Sequence, residues 1–299
     1  MDALPSGFDR LIEKEKGTVL RIGCFSDTHL EGDELIPLVD ALLPVAGSVD
    51  VFVALGDLAD GDKLPDLARR VVERLGVPCL VLPGNHEYWY TYYASTVKRD
   101  LEAYWRDEFS KIPGAHILLD DSVDIDGVSF FGSTWWTNFA LHGSDRVGDS
   151  MALSGMNYDF KLIMTEYLPK EHAVEEALRG RAAKGMSCLS PQGMRDLNLQ
   201  AVCRYKQWHK DSEGKKRVLL THFPPLKDLG HPNFPPSAYF ASADDLLLQQ
   251  YKPDTLMYGH THHNYGGILL HGIPVHSNMF GYPREEGRIG YDPNLVIEI

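Results

Sequence analysis

The side chains able to do chemistry fall in short clusters: Asp27-Thr28-His29, Gly56-Asp57, Gly84-Asn85-His86-Glu87, Thr221-His222 and Gly259-His260-Thr261-His262. Each cluster ends an apolar run, where polar side chains are costly unless they bind something. Carboxylates, imidazoles and one amide oxygen, with no thiolate, suit divalent first-row ions such as manganese, iron or zinc. Asp27, His29, Asp57, Asn85, His86, His222, His260 and His262 are too many for one tetrahedral centre, and they suit two ions sharing a carboxylate. Asp-x-His and His-x-His each bring two ligand atoms to a single turn. One such cluster does not decide the matter, since loops often carry a histidine for no chemical reason. Five built alike point to one site. Isolated histidines, such as His116, His142, His172, His209 and His271, are read as surface or hydrogen-bonded structural groups, and His276 as a satisfied buried one.

The elements that must position these groups follow from periodicity. Val19–Ser26, Asp50–Leu55 and Pro78–Leu82 read as buried strands, each running into one of the clusters. Between them the spacing predicts helices over Glu34–Leu43 and Leu64–Leu75, the second closed by Gly76. Strand and helix in alternation imply a parallel sheet with right-handed crossovers, which binds ligands at the carboxyl ends of its strands. A helix is expected over Tyr90–Ser110, then short strands at His116–Leu119 and Val128–Gly132, with Asp126-Gly127 as a hairpin turn. From Thr134 to about Gly214 the pattern becomes helical and is read as an insertion over or beside the sheet. Ser190-Pro191 starts a helix there, and its stripe of Met194, Leu197, Ala201, Tyr205 and Trp208 is core packing. Strands return at Arg217–Thr221, Asp254–Tyr258, Gly267–Leu270, Pro274–Ser277 and Asn294–Ile299, with a helix over Ala243–Gln250. With no repeat or linker, a single domain over 1–299 is the economical reading.

Composition narrows the partners. The chain has 299 residues, 43% hydrophobic, with a formal net charge of −13. Its longest basic run is Lys215-Lys216-Arg217, so it lacks the footprint of a nucleic-acid binder. No apolar run is long enough for a membrane helix and the N-terminal residues do not read as a signal peptide, so a cytoplasmic protein is expected. Cys24, Cys79, Cys188 and Cys203 form no C-x-x-C pair, which argues against a disulfide framework or a structural zinc site.

Asp27-x-His29, Gly56-Asp57-x-x-Asp60, Gly84-Asn85-His86-Glu87, Thr221-His222 and Gly259-His260-x-His262 resemble, in order, the five signature blocks of the calcineurin-like metallophosphoesterases. The blocks span residues 27 to 262, nearly the whole chain. The resemblance implies a four-layer α/β/β/α sandwich with two central mixed sheets. It implies one metal held by Asp27, His29 and His262, a bridging Asp57, and a second metal completed by Asn85, His222 and His260. His86 would be the acid at the leaving group, oriented by Asp60. The implied activity is hydrolysis of a small phosphorylated molecule, monoester or diester, by a hydroxide bridging the two ions.

Two departures bear on the substrate. Asp60-Gly61 lacks the arginine that phosphoprotein phosphatases of this superfamily carry between those residues, which argues against that activity. Asn278-Met279-Phe280-Gly281-Tyr282 stands where similar bacterial phosphoesterases have Asn-Pro-Arg-Gly-Tyr, so that arginine is absent and Arg284 is the candidate replacement. Tyr88, Trp89, Tyr90, Trp135, Trp136, Phe223, Phe234, Tyr239, Phe240 and Tyr282 could ring a pocket or pack loops, and His231 is a candidate substrate contact. The rival readings are a nuclease, disfavoured by the acidic charge, and a catalytically silent scaffold of the same fold, disfavoured by the presence of His86 and every expected ligand.

Overall fold

The structure, a computed structural model, describes residues 19–30, 35–45, 47–230, 237–265, 267–285 and 288–299. The first sheet is built from β1 (Arg21–Phe25), β2 (Val51–Leu55), β3 (Cys79–Leu82) and β4 (Ala115–Ile117), all parallel. A last strand at Ile297–Glu298 pairs antiparallel with β1 at the sheet's edge. The second sheet has β6 (Val128–Ser133), β10 (Lys216–Thr221), β11 (Thr255–Met257) and β13 (Ile273–His276) in parallel. Antiparallel edge strands β5 (Asp121–Ile125) and β12 (Ile268–Leu270) flank it, so both sheets are mixed. Asp126 and Gly127 take the β5–β6 hairpin at φ 47° and 81°, as a tight primed turn requires.

The strands of the first sheet are apolar on both faces because both faces are covered. Ile22, Val53 and Leu80 point inward against Phe130, Val218 and Leu220 of the second sheet. Phe52 and Val81 point outward to Leu67 and Val71 of α2 (Leu64–Leu75) and Trp105 of α4 (Lys98–Ser110), a layer completed by α1 (Leu35–Ala41). On the far side Phe131 and Leu219 pack on Ala201, Tyr205 and Trp208 of α8 (Pro191–Asp211) and Leu248 of α9 (Asp245–Gln250). The result is an α/β/β/α sandwich with two central mixed sheets. Gly76 caps α2 in the left-handed region, and the Ser190 side chain accepts the Gly193 N–H at 3.0 Å to open α8, a cap worth about 1 kcal/mol.

Two expectations differ from the structure. The helical stretch after the Gly84 turn is two helices, α3 (Asn85–Ala94) and α4, split at Ser95, and α3 begins on Asn85 rather than five residues later. The Glu87 side chain reaches back to the Gly84 N–H, which starts the helix within the motif. The segment 134–214 is also less helical than its composition indicates. It holds α5 (Val147–Ser154), α6 (Asp159–Leu162), α7 (Lys170–Leu178) and α8, but also a three-stranded antiparallel sheet of β7 (Met164–Tyr167), β8 (Ala182–Ala183) and β9 (Met186–Cys188). Strands of two to four residues are too short to show alternation. Its last helix, α8, is part of the sandwich's outer layer. Among the described residues no helix is long and apolar enough to cross a membrane.

Candidate metal centre

Each cluster sits at the carboxyl end of a strand: Asp27 and His29 after β1, Asp57 after β2, Asn85 and His86 after β3, His222 after β10, His260 and His262 after β11. The backbone turns sharply at these ends. Asp27, His29, Asp57, His260 and His262 all have positive φ, between 45° and 77°. A left-handed non-glycine residue costs on the order of 1–3 kcal/mol, and such strain persists where the surroundings over-determine it. The turns are stitched together: the Asp27 N–H donates to the Gly56 carbonyl at 2.9 Å, that of His29 to Asp57 at 3.0 Å, and that of Gly259 to His222 at 3.1 Å. Gly84 has no room for a side chain, because a Cβ there would lie 2.2 Å from Asp57 Oδ1. Glu87, fully buried, completes the frame by accepting the N–H groups of Asp57 (3.0 Å), Gly84 (2.7 Å) and Leu58.

The geometry gathers the expected groups into three adjoining sets, Asp27–His29–His262, His29–Asp57–His86 and Asp57–His222–His260. Within each set the ligand atoms lie within 4.8 Å of one another. Asp57 belongs to two of the sets, with its Oδ2 3.3 Å from His222 Nε2, 3.9 Å from His86 Nε2 and 4.0 Å from His29 Nε2. His29 Nε2 and His262 Nε2 face each other at 3.0 Å, and His262 Nε2 is 3.4 Å from Asp27 Oδ1. Asn85 Oδ1 lies 3.2 Å from His222 Nε2. Both ring nitrogens of His260 are buried without a hydrogen-bond partner. A polar ring so placed is expensive unless something binds it, and the mixed nitrogen and oxygen donor set fits a divalent ion.

Electrostatics divide the imidazoles into two kinds. Burial holds His29 down at about 4 and His260 well below its ordinary value, so both are neutral with lone pairs to offer. Burial acts the same way on His222 and His262, but the carboxylates overcome it: Asp57 carries His222 up to about 9, and Asp27 with Glu285 carries His262 up to about 9. Burial raises Asp27 and Asp57 as well, yet their imidazole neighbours leave both below the usual carboxylate range. Burial and the Asp57 charge push Glu87 up to about 7.

Around the expected ligands lies a layer of orienting contacts. His222 Nδ1 pairs with the Leu55 carbonyl at 2.8 Å and His262 Nδ1 with Glu285 at 2.6 Å, leaving each Nε2 toward the centre. Asp159, fully buried at the start of α6, accepts from Asn85 Nδ2 (3.1 Å), Trp89 Nε1 (2.7 Å) and the Tyr239 hydroxyl (2.6 Å). The His86 ring stacks on Trp89 at 3.7 Å and His29 on Tyr282 at 4.2 Å. Asp60 is exposed and lines an outer groove beside His86. Of the candidate aromatics, Trp89, Tyr239, Phe240 and Tyr282 line a cavity of ≈ 380 Å³ over the centre. Trp135, Trp136 and Tyr88 are core, and Phe223 lies against the His260 ring. Arg284 sits over Tyr282, 5.3 Å from its centroid. His231 and Phe234 fall outside the described residues. Sequence reasoning missed Asp159 and Glu285, which carried no local signal, and gave Glu87 no role, although its place three residues after Gly84 is a helix-start signature.

The sequence profile of the calcineurin-like phosphoesterases matches residues 20–264, a span that contains every expected ligand. This chain belongs to that family. Calcineurin-like phosphoesterases are metal-dependent enzymes as a group, and the His/Asp sets above are of the kind that could hold their ions. The chain is 22% identical over 291 residues to an uncharacterised protein of Acanthamoeba polyphaga mimivirus, covering 92% of this chain and 95% of that protein. It is 30% identical over 122 residues, 39% of each chain, to a protein of Caenorhabditis elegans designated UPF0046. Among solved structures, TT1561 of Thermus thermophilus has a TM-score of 0.49 and 12% identity, over 88% of this chain and 90% of its own. A dimetal phosphatase from Danio rerio has a TM-score of 0.44 and 15% identity, over 92% and 89%.

Proposed function

We propose that this calcineurin-like protein hydrolyses a small phosphorylated molecule at a two-metal centre. The observation that carries the reading is the convergence of His29, His86 and His222 on the buried Asp57 carboxylate, next to a His260 ring with nothing else to bind it. Asp27, His29, His262 and Asp57 would hold one ion, and Asp57, Asn85, His222 and His260 the other. The donor set suits manganese, iron or zinc. Such ions, when bound, supply positive charge to the phosphoryl oxygens and acidify a water toward neutrality.

The chain's own residues do the rest. Asp57 Oδ1 accepts the His86 backbone N–H at 2.9 Å, which fixes the main chain, and Trp89 stacks on the ring, so the imidazole is held at the wall of the cavity. From there His86 Nε2 donates a proton to the departing alkoxide, an effect typically worth roughly 10²–10⁴-fold. Asp60 assists from the outer groove. A cavity of ≈ 380 Å³ suits a small molecule.

The test is turnover of p-nitrophenyl phosphate and bis-p-nitrophenyl phosphate by chelated protein refilled with manganese, iron, zinc, cobalt, nickel or magnesium. Metal-dependent hydrolysis is expected, falling roughly 10²–10⁴-fold in His86→Ala while bound metal is retained. Two bound ions with no turnover of any ester would favour a binding scaffold.

A further inference from the structure

The insertion contributes Asn157 and Tyr158 to the wall of the metal cavity, in the turn that leads into α6 at the buried Asp159. Among the described residues lining that cavity, three buried side-chain polar atoms have no partner. Two are the His260 ring nitrogens, which the metal reading explains. The third is Asn157 Nδ2, a donor with nothing to donate to. The donors around the next residue but one are satisfied, since Asn85, Trp89 and Tyr239 all donate to Asp159. A buried amide N–H left unmade costs free energy, which an acceptor arriving with the substrate would return.

The turn also opens outward. Tyr158 lines both the metal cavity and an adjoining groove of ≈ 1060 Å³, whose lining includes Trp89, Tyr90, Tyr93 and Tyr282. Tyr158 and Tyr93 are 65% and 63% exposed, an unusual outlay of aromatic surface beside a reaction centre. Trp89 and Tyr158 meet at 6.0 Å with their planes 56° apart, an open corner and not a closed slot. Among the described residues neither lining contains a lysine or arginine; Lys161 and Arg284 stand over the Tyr158 and Tyr282 rings at 5.5 and 5.3 Å. A track for a nucleic-acid strand would need basic residues in the lining itself. An aromatic lining of this kind suits a flat, uncharged group attached to the reacting phosphate.

We propose that the Asn157–Asp159 turn is the substrate-recognition element and that the substrate is a small phosphoester carrying a planar aromatic ring. Asn157 Nδ2 donates to a phosphoryl oxygen, Tyr158 and its neighbours bear the ring, and Asp159 ties the turn to Asn85 in the metal centre. This rests on the phosphoesterase reading. The ring is a nucleobase or a simple aryl group, two sources with the same stacking chemistry.

Equilibrium dialysis of the manganese-loaded His86→Ala protein tests it, using matched pairs: adenosine 5′-monophosphate against ribose 5-phosphate, and phenyl phosphate against n-butyl phosphate. The ring-bearing member of at least one pair is expected to bind about tenfold tighter or more, and the pair that shows it tells nucleobase from aryl. Tyr158→Ala should bring that ratio to within about threefold of unity, while Tyr167→Ala, an exposed tyrosine of the same insertion, should not change it. Asn157→Leu should weaken all four ligands by about fivefold. Equal binding within both pairs, no binding of any, or a ratio indifferent to Tyr158 would overturn the proposal. Its failure is separable from that of the enzyme reading, because turnover of the p-nitrophenyl esters by the wild-type protein reports on the latter alone.

Discussion

The two walls of the site are built on opposite terms. The strand-end wall is over-determined: five of the residues expected to be ligands sit at positive φ, a Cβ at Gly84 would strike Asp57, and the Glu87 carboxylate clamps the Asp57 and Gly84 turns together. The insertion wall meets the expected ligands through one buried carboxylate, Asp159, is tied to α3 further out by Thr91, and presents the exposed Tyr158 to solvent. The difference is that between a rigid framework for chemistry and a surface whose residues can change without moving a ligand. Placement of metal ligands tolerates little error, whereas recognition of a leaving group can be rewritten in a turn.

Removing the hub of each wall sharpens the contrast. Asp57→Ala takes a ligand from both proposed ions, so bound metal should fall from near two per chain toward none. Turnover should drop by about 10³-fold or more, as the loss of several kcal/mol of charge stabilisation implies. Of the proposed ligands Asp159 touches only Asn85, its other partners being Trp89 and Tyr239, so in Asp159→Asn one ion should weaken by roughly 10–100-fold, the usual cost of losing an outer partner, while the other stays. Metal analysis of the two variants checks this, and the contrast fails if Asp159→Asn strips both ions or Asp57→Ala keeps both.

A pH series probes the strand-end wall alone. In the ion-free protein His222 and His262 are raised to about 9, one in each proposed ion site, so at neutral pH both carry protons that a metal must displace. Affinity for each ion should climb about tenfold per pH unit below about 9 and flatten above it. The same sign governs folding without metal: the stability from these two pairs is complete below the ordinary histidine value of 6.5 and is lost as pH rises through about 9. Calorimetric titration across pH 6–10 reads the first effect, and a flat profile would contradict it. The smallest change is expected at the rim, where exposed Asp60 is worth little in high dielectric. Asp60→Asn should lower kcat by at most about fivefold; a hundredfold loss would make it a principal part of the acid machinery.

The contrast also explains what the sequence disclosed. Asp27, His29, Asp57, Asn85, His86, His222, His260 and His262 announce themselves because tight strand-end turns force polar residues and glycine into fixed spacing after apolar runs. α2, closed by Gly76, was legible to the residue for the same local reason. The insertion wall depends on long-range contacts: Asp159 meets Asn85 across 74 residues and Tyr239 across 80, and no neighbour in sequence marks it. Glu285 reaches His262 from a turn with no motif of its own. β7, β8 and β9 are too short for a periodic signal, so a mixed segment looked helical.

The measurement closest to the central claim is a count of ions. Protein stripped by chelation is titrated with manganese, and bound metal per chain is determined beside the Asp57→Ala variant. The account predicts two ions per chain in the wild type and loss of both in the variant. A wild-type chain that binds no ion, or a variant that binds as many as the wild type, would contradict it.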